Sequence, residues 1–307
     1  MRQAFIDTLY NISKKDEKIF LLNGDLGFSV LEKFTETFSQ RSLNMGVAEA
    51  NMMGVAAGLA MSGKKVFVYS IIPFVTSRVH EQIRDDIALQ RANVKIVGVG
   101  SGFTYGQLGP THHSIEDISI MRAIPNMTIV CPGDPFETEE LTKALVNFDG
   151  PAYLRIGKKG EPRVHNKKPF LKIGKGIVLK NGNDCTLIAT GNMLSVAVEV
   201  SDILKNFDIK ARVISMHTIK PLDKNVIYRA VEETPAVFTL EEHSIMGGLG
   251  SAVAEVIAEG RGKVFFKRLG IRDVFTTIAG SQDFLRDYHD LSPKNIVKII
   301  RRDISKI

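Results

Sequence analysis

Along the first half of the chain, short apolar runs alternate with longer stretches in which apolar residues recur every three to four positions. KIFLLNGDLG (18–27) reads as a strand entering a glycine turn, and KKVFVYSI (64–71), VKIVGVGSG (94–102), MTIVCPGDP (127–135) and AYLRI (152–156) as further strands. Between them, residues 48–62 read as a helix of small residues. VTSRVHEQIRDDIAL (75–89) reads as a helix with Val79, Ile83, Ile87 and Ala88 or Leu89 on one face. SIEDISIMRAI (114–124) reads as a short helix with Ser114 as N-cap and Asp117 at the third position, and PFETEELTKALVNF (135–148) as a helix with Pro135 near its start. Such alternation predicts an α/β fold, a doubly wound parallel sheet with helices on both faces.

The pattern pauses at 157–175, a polar, basic stretch with Gly and Pro that reads as a linker. It then resumes as strands at 184–191, 210–218, 236–243 and 263–271, with helices at 193–207, 223–233, 248–260 and 292–304, the last capped by Ser292 with Pro293 at its first position. The expected organisation is a first α/β domain over 1–160, a linker over 161–175 and a smaller α/β domain over 176–307.

Composition narrows the class. The 307 residues are 44% hydrophobic and 24% charged, ordinary for a globular protein. The net charge of +6 comes from 40 basic and 34 acidic residues scattered without blocks, which reads as a solubilising surface and leaves room for an anionic substrate. Two distant cysteines, Cys131 and Cys185, form neither a disulfide framework nor a zinc spacing, so a reducing cytoplasm is expected. The N-terminal stretch lacks the apolar run of a signal peptide, and no run of 18 apolar residues predicts a membrane helix. Neither nucleic acid nor membrane is an expected partner.

Open α/β sheets bind ligands beyond the carboxyl ends of their strands. NGDLGFS, the lead into GVAEAN, YSIIPF and GQLGPTHHSIED are expected there. GVAEAN carries one carboxylate, Glu49, among small and apolar residues; a helix-start acid is its bland explanation. LGPTHHSIED carries adjacent histidines, His112 and His113, on a loop, suited to acid–base or anion-binding work because imidazole titrates near neutrality. Two histidines and a distant acid make a poor zinc pattern.

The ordered series GVAEANMMGVAAGLA, PF, GPTHHSIEDISIMRAIPNMTIVCPGDPFE, AYLRIG and EEHSIMGGLGSAVAE resembles transketolase over essentially the whole chain. It looks like the C-terminal section of a split transketolase. The resemblance implies a thiamine diphosphate pyrimidine-binding domain followed by the smaller transketolase C-terminal domain. It implies that Glu49 hydrogen-bonds N1′ of the cofactor's aminopyrimidine and activates it, within an apolar setting that raises the carboxyl pKa. Phe74 falls where an aromatic ring stacks on the aminopyrimidine. Ile71 and Ser77 fall where many members carry further aromatics. Asp25 and Leu26 match a segment approaching the cofactor. His112, with His113 beside it, matches the histidine that contacts a substrate oxygen, and Arg155, Arg2 and Ser29 match phosphate-binding positions.

Two departures bear on the substrate. Leu108 stands where the family's aspartate recognises an acceptor hydroxyl, and Gly100 where a histidine helps to bind phosphate; an unusual acceptor sugar follows. The family holds Mg²⁺ and the cofactor diphosphate with a GDG motif and a later Asn. Gly24-Asp25-Leu26 with Asn51 mimics the spacing without the second glycine. The diphosphate and Mg²⁺ ligands are therefore expected on an N-terminal partner subunit, in an α2β2 assembly, with this chain inactive alone. His243 and His217 read as structural. The reaction implied is transfer of a two-carbon ketol unit from a ketose, usually phosphorylated, to an aldose. Rival readings are the β chain of a 2-oxoacid dehydrogenase E1, a deoxyxylulose phosphate synthase-like enzyme, and a non-catalytic regulatory paralogue.

Overall fold

The computed structural model describes residues 1–158, 160–260 and 262–307; Lys159, inside the stretch read as a linker, and Arg261 lie outside the described residues. The apolar runs form strands because parallel strands covered by helices on both faces need no alternation. Strands β1 (Ile19–Asn23), β2 (Ser42–Asn44), β3 (Lys65–Ile71), β4 (Val94–Val99), β5 (Thr128–Val130) and β6 (Ala152–Ile156) pair in parallel, and every residue of β4 and β6 is buried. A second sheet holds β7 (Ile177–Lys180), β8 (Cys185–Ala189), β9 (Ala211–Ser215), β11 (Ala236–Ser244) and β12 (Phe265–Ile271), in the order β12-β11-β8-β9-β7 with only β7 antiparallel. The remaining strand, β10 (Thr218–Lys220), leaves the second unit and pairs antiparallel with β5, closing the first sheet in the order β10-β5-β6-β4-β3-β1-β2.

The two units are thereby joined by backbone hydrogen bonds as well as by packing. One hydrophobic core runs from Met52, Met53 and Ala56 of the Glu49–Met61 helix through Ile118 and Met121 to Ile214, Met216 and Val253 of the second unit. On the other face of the first sheet, Phe5 and Leu9 of the Arg2–Ser13 helix pack with Leu141 and Leu145 of the Pro135–Asn147 helix. Among its described residues, the stretch read as a linker has no regular structure but is anchored. Asp134 accepts from the backbone N–H groups of Val164 and His165, each at 3.0 Å, and the His165 ring bonds the buried Glu137 carboxylate at 2.8 Å.

Three local expectations are corrected. The 75–89 stretch is not one helix. It divides into the short Ile72–Val75 turn, a 3₁₀ turn at Ser77–Val79, a helical turn at His80–Gln82 and a π-helical stretch at Ile83–Ala88. Leu89 N–H donates to the Arg84 carbonyl at 3.0 Å, the five-residue spacing of a π-turn. Ser114 does not cap the next helix, which starts at Asp117 after Glu116. Its backbone pairs instead with Gly102 in an isolated bridge, and two residues, Ile115 and Glu116, separate it from the helix start. The 210–218 strand ends at Ser215, and its continuation becomes β10.

Candidate functional site

The carboxyl ends of β1, β3 and β4 and the start of the Glu49–Met61 helix meet at one edge of the first sheet. Asn44, on the lead into the helix, knits this edge. Its amide oxygen accepts from the Asp25 and Gly46 N–H groups and its amide nitrogen donates to Asp25, each at 3.0 Å. The turn carrying Asp25 and Leu26 is held in the left-handed region at Asp25, φ 54°.

Glu49 opens the helix and is 2% exposed. A Cβ at Gly24 would stand 3.4 Å from Ser70 Oγ and 3.5 Å from Glu49 Oε1, so the β1 turn leaves just enough room for the carboxylate. The apolar setting expected from its neighbours in sequence is only part of its surroundings. Arg78 Nη1 donates to Glu49 Oε2 at 2.8 Å, and the Arg78 guanidinium carbon lies 4.2 Å from the centre of the Phe74 ring. Phe74 and Arg78 are four residues apart, and the contact forms across the join of the Ile72–Val75 turn and the 3₁₀ turn Ser77–Val79. Phe74 also meets the His112 ring edge-on, with centres 5.4 Å apart. Glu49, Phe74 and His112 thus stand together, as the motifs imply. Ile71 is buried at the end of β3, while Ser77 is exposed one residue before Arg78.

The histidine loop is built from behind by the second unit. Glu242, at the end of β11, accepts from the Phe103 N–H at 2.6 Å and from Gln282 Nε2 at 2.8 Å, and pairs with Arg286. Phe103 stacks on His289 at 5.2 Å and meets His113 edge-on at 5.1 Å. His113 is buried, and burial lowers its pKa against the opposing bond to the Gly106 carbonyl. His113 thus supports the loop from within, while His112 is half-buried with its ring between Phe74 and Tyr105. Nothing in the local sequence marks Gln282, Arg286 or Phe103, and the EEHSIMGGLG motif does not give Glu242 this role, because the role exists only across the two units.

Arg155 is the clearest correction. It is 2% exposed, and its Nε and Nη2 donate to Asp117 (2.7 and 3.3 Å) and to the carbonyls of Ser114 (2.7 Å) and Glu242 (3.1 Å). Tyr153 adds a 2.6 Å bond to Asp117. A phosphate would have to displace an ion pair that the fold shields from water, so Arg155 is a strut between loop and second unit. Lys158 lies beside the histidine loop, over the Tyr105 ring at 4.5 Å, and lines a pocket of about 300 Å³ with Tyr105, Gln107, Leu108 and Gln282. Arg2 joins this edge through a 2.6 Å bond to the Lys158 carbonyl. Ser29 is distant from it in the β1 turn, exposed, with φ 62° and its N–H on Glu32. Leu108 is 54% exposed at the pocket. Gly100 has φ 94°, and any side chain there would overlap the Tyr105 ring, so its conformation excludes a histidine. His217 and His243 are buried; burial depresses both, His243 to about 4, as structural residues require. Among the described residues, no helix is long and apolar enough to cross a membrane.

The transketolase pyrimidine-binding domain model matches residues 1–162, and the transketolase C-terminal domain model matches residues 174–296. A putative transketolase C-terminal section from Methanocaldococcus jannaschii is 40% identical over 100% of this chain and 96% of its own length. A 6-deoxy-6-sulfo-D-fructose transketolase subunit from Clostridium sp. is 38% identical over 97% of this chain and 92% of its own. A solved split-gene transketolase, an inactive β4 tetramer, superposes with a TM-score of 0.91 at 35% identity, covering 99% of this chain and 98% of that one. The 1-deoxy-D-xylulose-5-phosphate synthase of Heliobacterium modesticaldum is matched over only 46% of its length. The chain belongs to the transketolase family, whose members are thiamine diphosphate-dependent transferases. Within that family it corresponds to the subunit of split transketolases that carries the pyrimidine-binding and C-terminal domains.

Proposed function

We propose that this chain, with an N-terminal partner subunit that supplies the diphosphate and Mg²⁺ ligands, forms an α2β2 enzyme transferring a two-carbon ketol unit from a ketose, usually phosphorylated, to an aldose. The observation that carries the reading is the meeting of the buried Glu49 with the half-buried Phe74 and His112 at one sheet edge. These residues fit the pyrimidine half of thiamine diphosphate. They offer a buried carboxylate for a ring nitrogen, an aromatic face for stacking, and a carboxylate site that Gly24 leaves room to reach. When bound, the cofactor supplies the nucleophilic carbon and the electron sink. Glu49 would hold and share a proton with N1′, Phe74 would fix the ring plane, and His112 would bind the substrate oxygen and move a proton there. Asp25, Leu26 and Ile71 would line the cofactor's approach, with Ser77 at its rim.

The substrate's far end would lie toward Tyr105 and Leu108, where Arg2 and Lys158 supply positive charge for an anionic group. Ser29 would serve only if the β1 turn meets the partner-completed site. Leu108 offers no hydrogen bond, so the acceptor favoured is one lacking or inverting the hydroxyl that an aspartate would recognise. The division into 1–160, 161–175 and 176–307 assigns the pyrimidine half to the first unit and loop support to the last.

The test is to purify the chain with and without the partner and to measure thiamine diphosphate binding in Mg²⁺ by calorimetry, with Glu49→Gln beside the wild type. The reading expects binding in the pair alone and ketol transfer abolished by Glu49→Gln. Tight binding by the single chain overturns the partner assignment, and no binding by the pair overturns the catalytic one.

A further inference from the structure

Glu49 carries a charge that the fold buries, and among the described residues one side chain donates to it, that of Arg78. The same guanidinium covers the face of Phe74 at 4.2 Å while staying 46% exposed at its outer side. A flat, nitrogen-rich cation thus makes at once the two contacts that define the pyrimidine reading, a hydrogen bond to Glu49 and a stack on Phe74. Arg78 cannot keep both when another planar ring takes them. Its position on the 3₁₀ turn Ser77–Val79, between the Ile72–Val75 turn and the π-helical stretch, places it on irregular backbone, and its outer side faces solvent into which the side chain can swing.

We propose that Arg78 is a resident stand-in for the cofactor's aminopyrimidine. In the unloaded subunit it neutralises Glu49 and shields Phe74, and it must withdraw when the cofactor ring enters, so it sets the affinity and the order of loading. This inference rests on the proposed pyrimidine site. The stand-in makes the isolated subunit tolerant of an empty site. A buried, unpaired carboxylate is costly, and an exposed aromatic at a sheet edge invites association. The loaded enzyme gives up one ion pair and one cation–π contact, and the entering ring's own bond to Glu49 and stack on Phe74 take their place.

The experiment measures thiamine diphosphate affinity by calorimetry in the reconstituted two-chain enzyme for wild type, Arg78→Ala and Arg78→Lys, with thermal melts to check folding. Arg78→Ala is expected to bind the cofactor roughly three- to tenfold more tightly, the gain that losing two competing contacts allows. Arg78→Lys keeps the charge but loses the planar fork and is expected to fall between. Millimolar guanidinium ion is expected to weaken binding to Arg78→Ala by refilling the vacated position, and to leave the wild type unchanged. Should Arg78→Ala fold poorly, the Arg78→Lys comparison carries the test. A wild-type pair that binds cofactor while both variants bind equally or more weakly overturns this inference alone, because Arg78 would then be a cofactor contact or a bystander. A wild-type pair that binds none overturns the pyrimidine site and this inference together.

Discussion

Replacing Asp117 with Asn tests whether Arg155 is a strut. Asp117 and Arg155 are each 2% exposed and share bonds of 2.7 and 3.3 Å, with Tyr153 adding a third to Asp117 at 2.6 Å. The attraction of Asp117 holds the Arg155 pKa above its usual value although burial opposes the charge. Asp117→Asn keeps the shape and removes the countercharge, leaving a guanidinium in the interior; breaking a buried pair in this way costs about 3–5 kcal/mol. With an unfolding entropy of about 0.6 kcal/mol per kelvin for a chain of this length, the melting temperature should fall by roughly 5–8 °C. The double variant Asp117→Leu with Arg155→Met removes both charges and should recover most of that loss, since apolar replacement of a buried pair is often near neutral. The assay is a far-UV circular dichroism melt alongside a urea titration. A single variant melting within about 1 °C of wild type, or a double variant as unstable as the single, would refute the reasoning and reopen Arg155 as a ligand-binding arginine.

Other expectations follow from the same geometry. Glu242→Gln, which weakens the hold on the Phe103 N–H and Arg286, should lower kcat about tenfold or more by loosening the histidine loop while leaving cofactor affinity unchanged; equal losses in both would mean general damage. Gly100→Ala should cost about 1–3 kcal/mol, because φ is 94° and the new methyl overlaps the Tyr105 ring; an unchanged urea midpoint would contradict this. Leu108→Asp, on an exposed loop, should alter stability by less than about 0.5 kcal/mol while shifting preference toward acceptors bearing the recognised hydroxyl, read as a ratio of kcat/KM values. Burial depresses the His113 pKa. The unfolded chain therefore takes up the proton first, near pH 6.5, and the contribution to stability, complete above that value, is lost as pH falls through the lowered folded value. His113→Gln should flatten the stability curve below about pH 6.5, and an unchanged acid slope in urea titrations would count against it.

Much of this protein was legible in order of residues. Unbroken apolar runs require strands covered on both faces, and the small residues after Glu49 require a closely packed helix; both follow from local pattern and formed as expected. The motif order also carried the family and drew Glu49, Phe74 and His112 to one sheet edge. Tertiary structure decided what local pattern cannot encode. Burial determines whether a charge is spent on the fold, so Arg155 pairs with Asp117 in the interior while Lys158 lies over Tyr105 at the pocket. Long-range partners determined Ser114 and Asp117: the Ser114 backbone pairs with Gly102, and the Asp117 carboxylate pairs with the buried Arg155. Strand β10 crossed to the first sheet, since an edge strand pairs with whichever open edge the packing of the two units presents. The surroundings of Glu49 were the furthest from reach. No basic residue lies within four positions of it in sequence, yet Arg78, 29 positions away, donates to it, because the packing of the segment after β3 against the Glu49–Met61 helix sets the contacts of a buried charge and spacing along the chain does not record that.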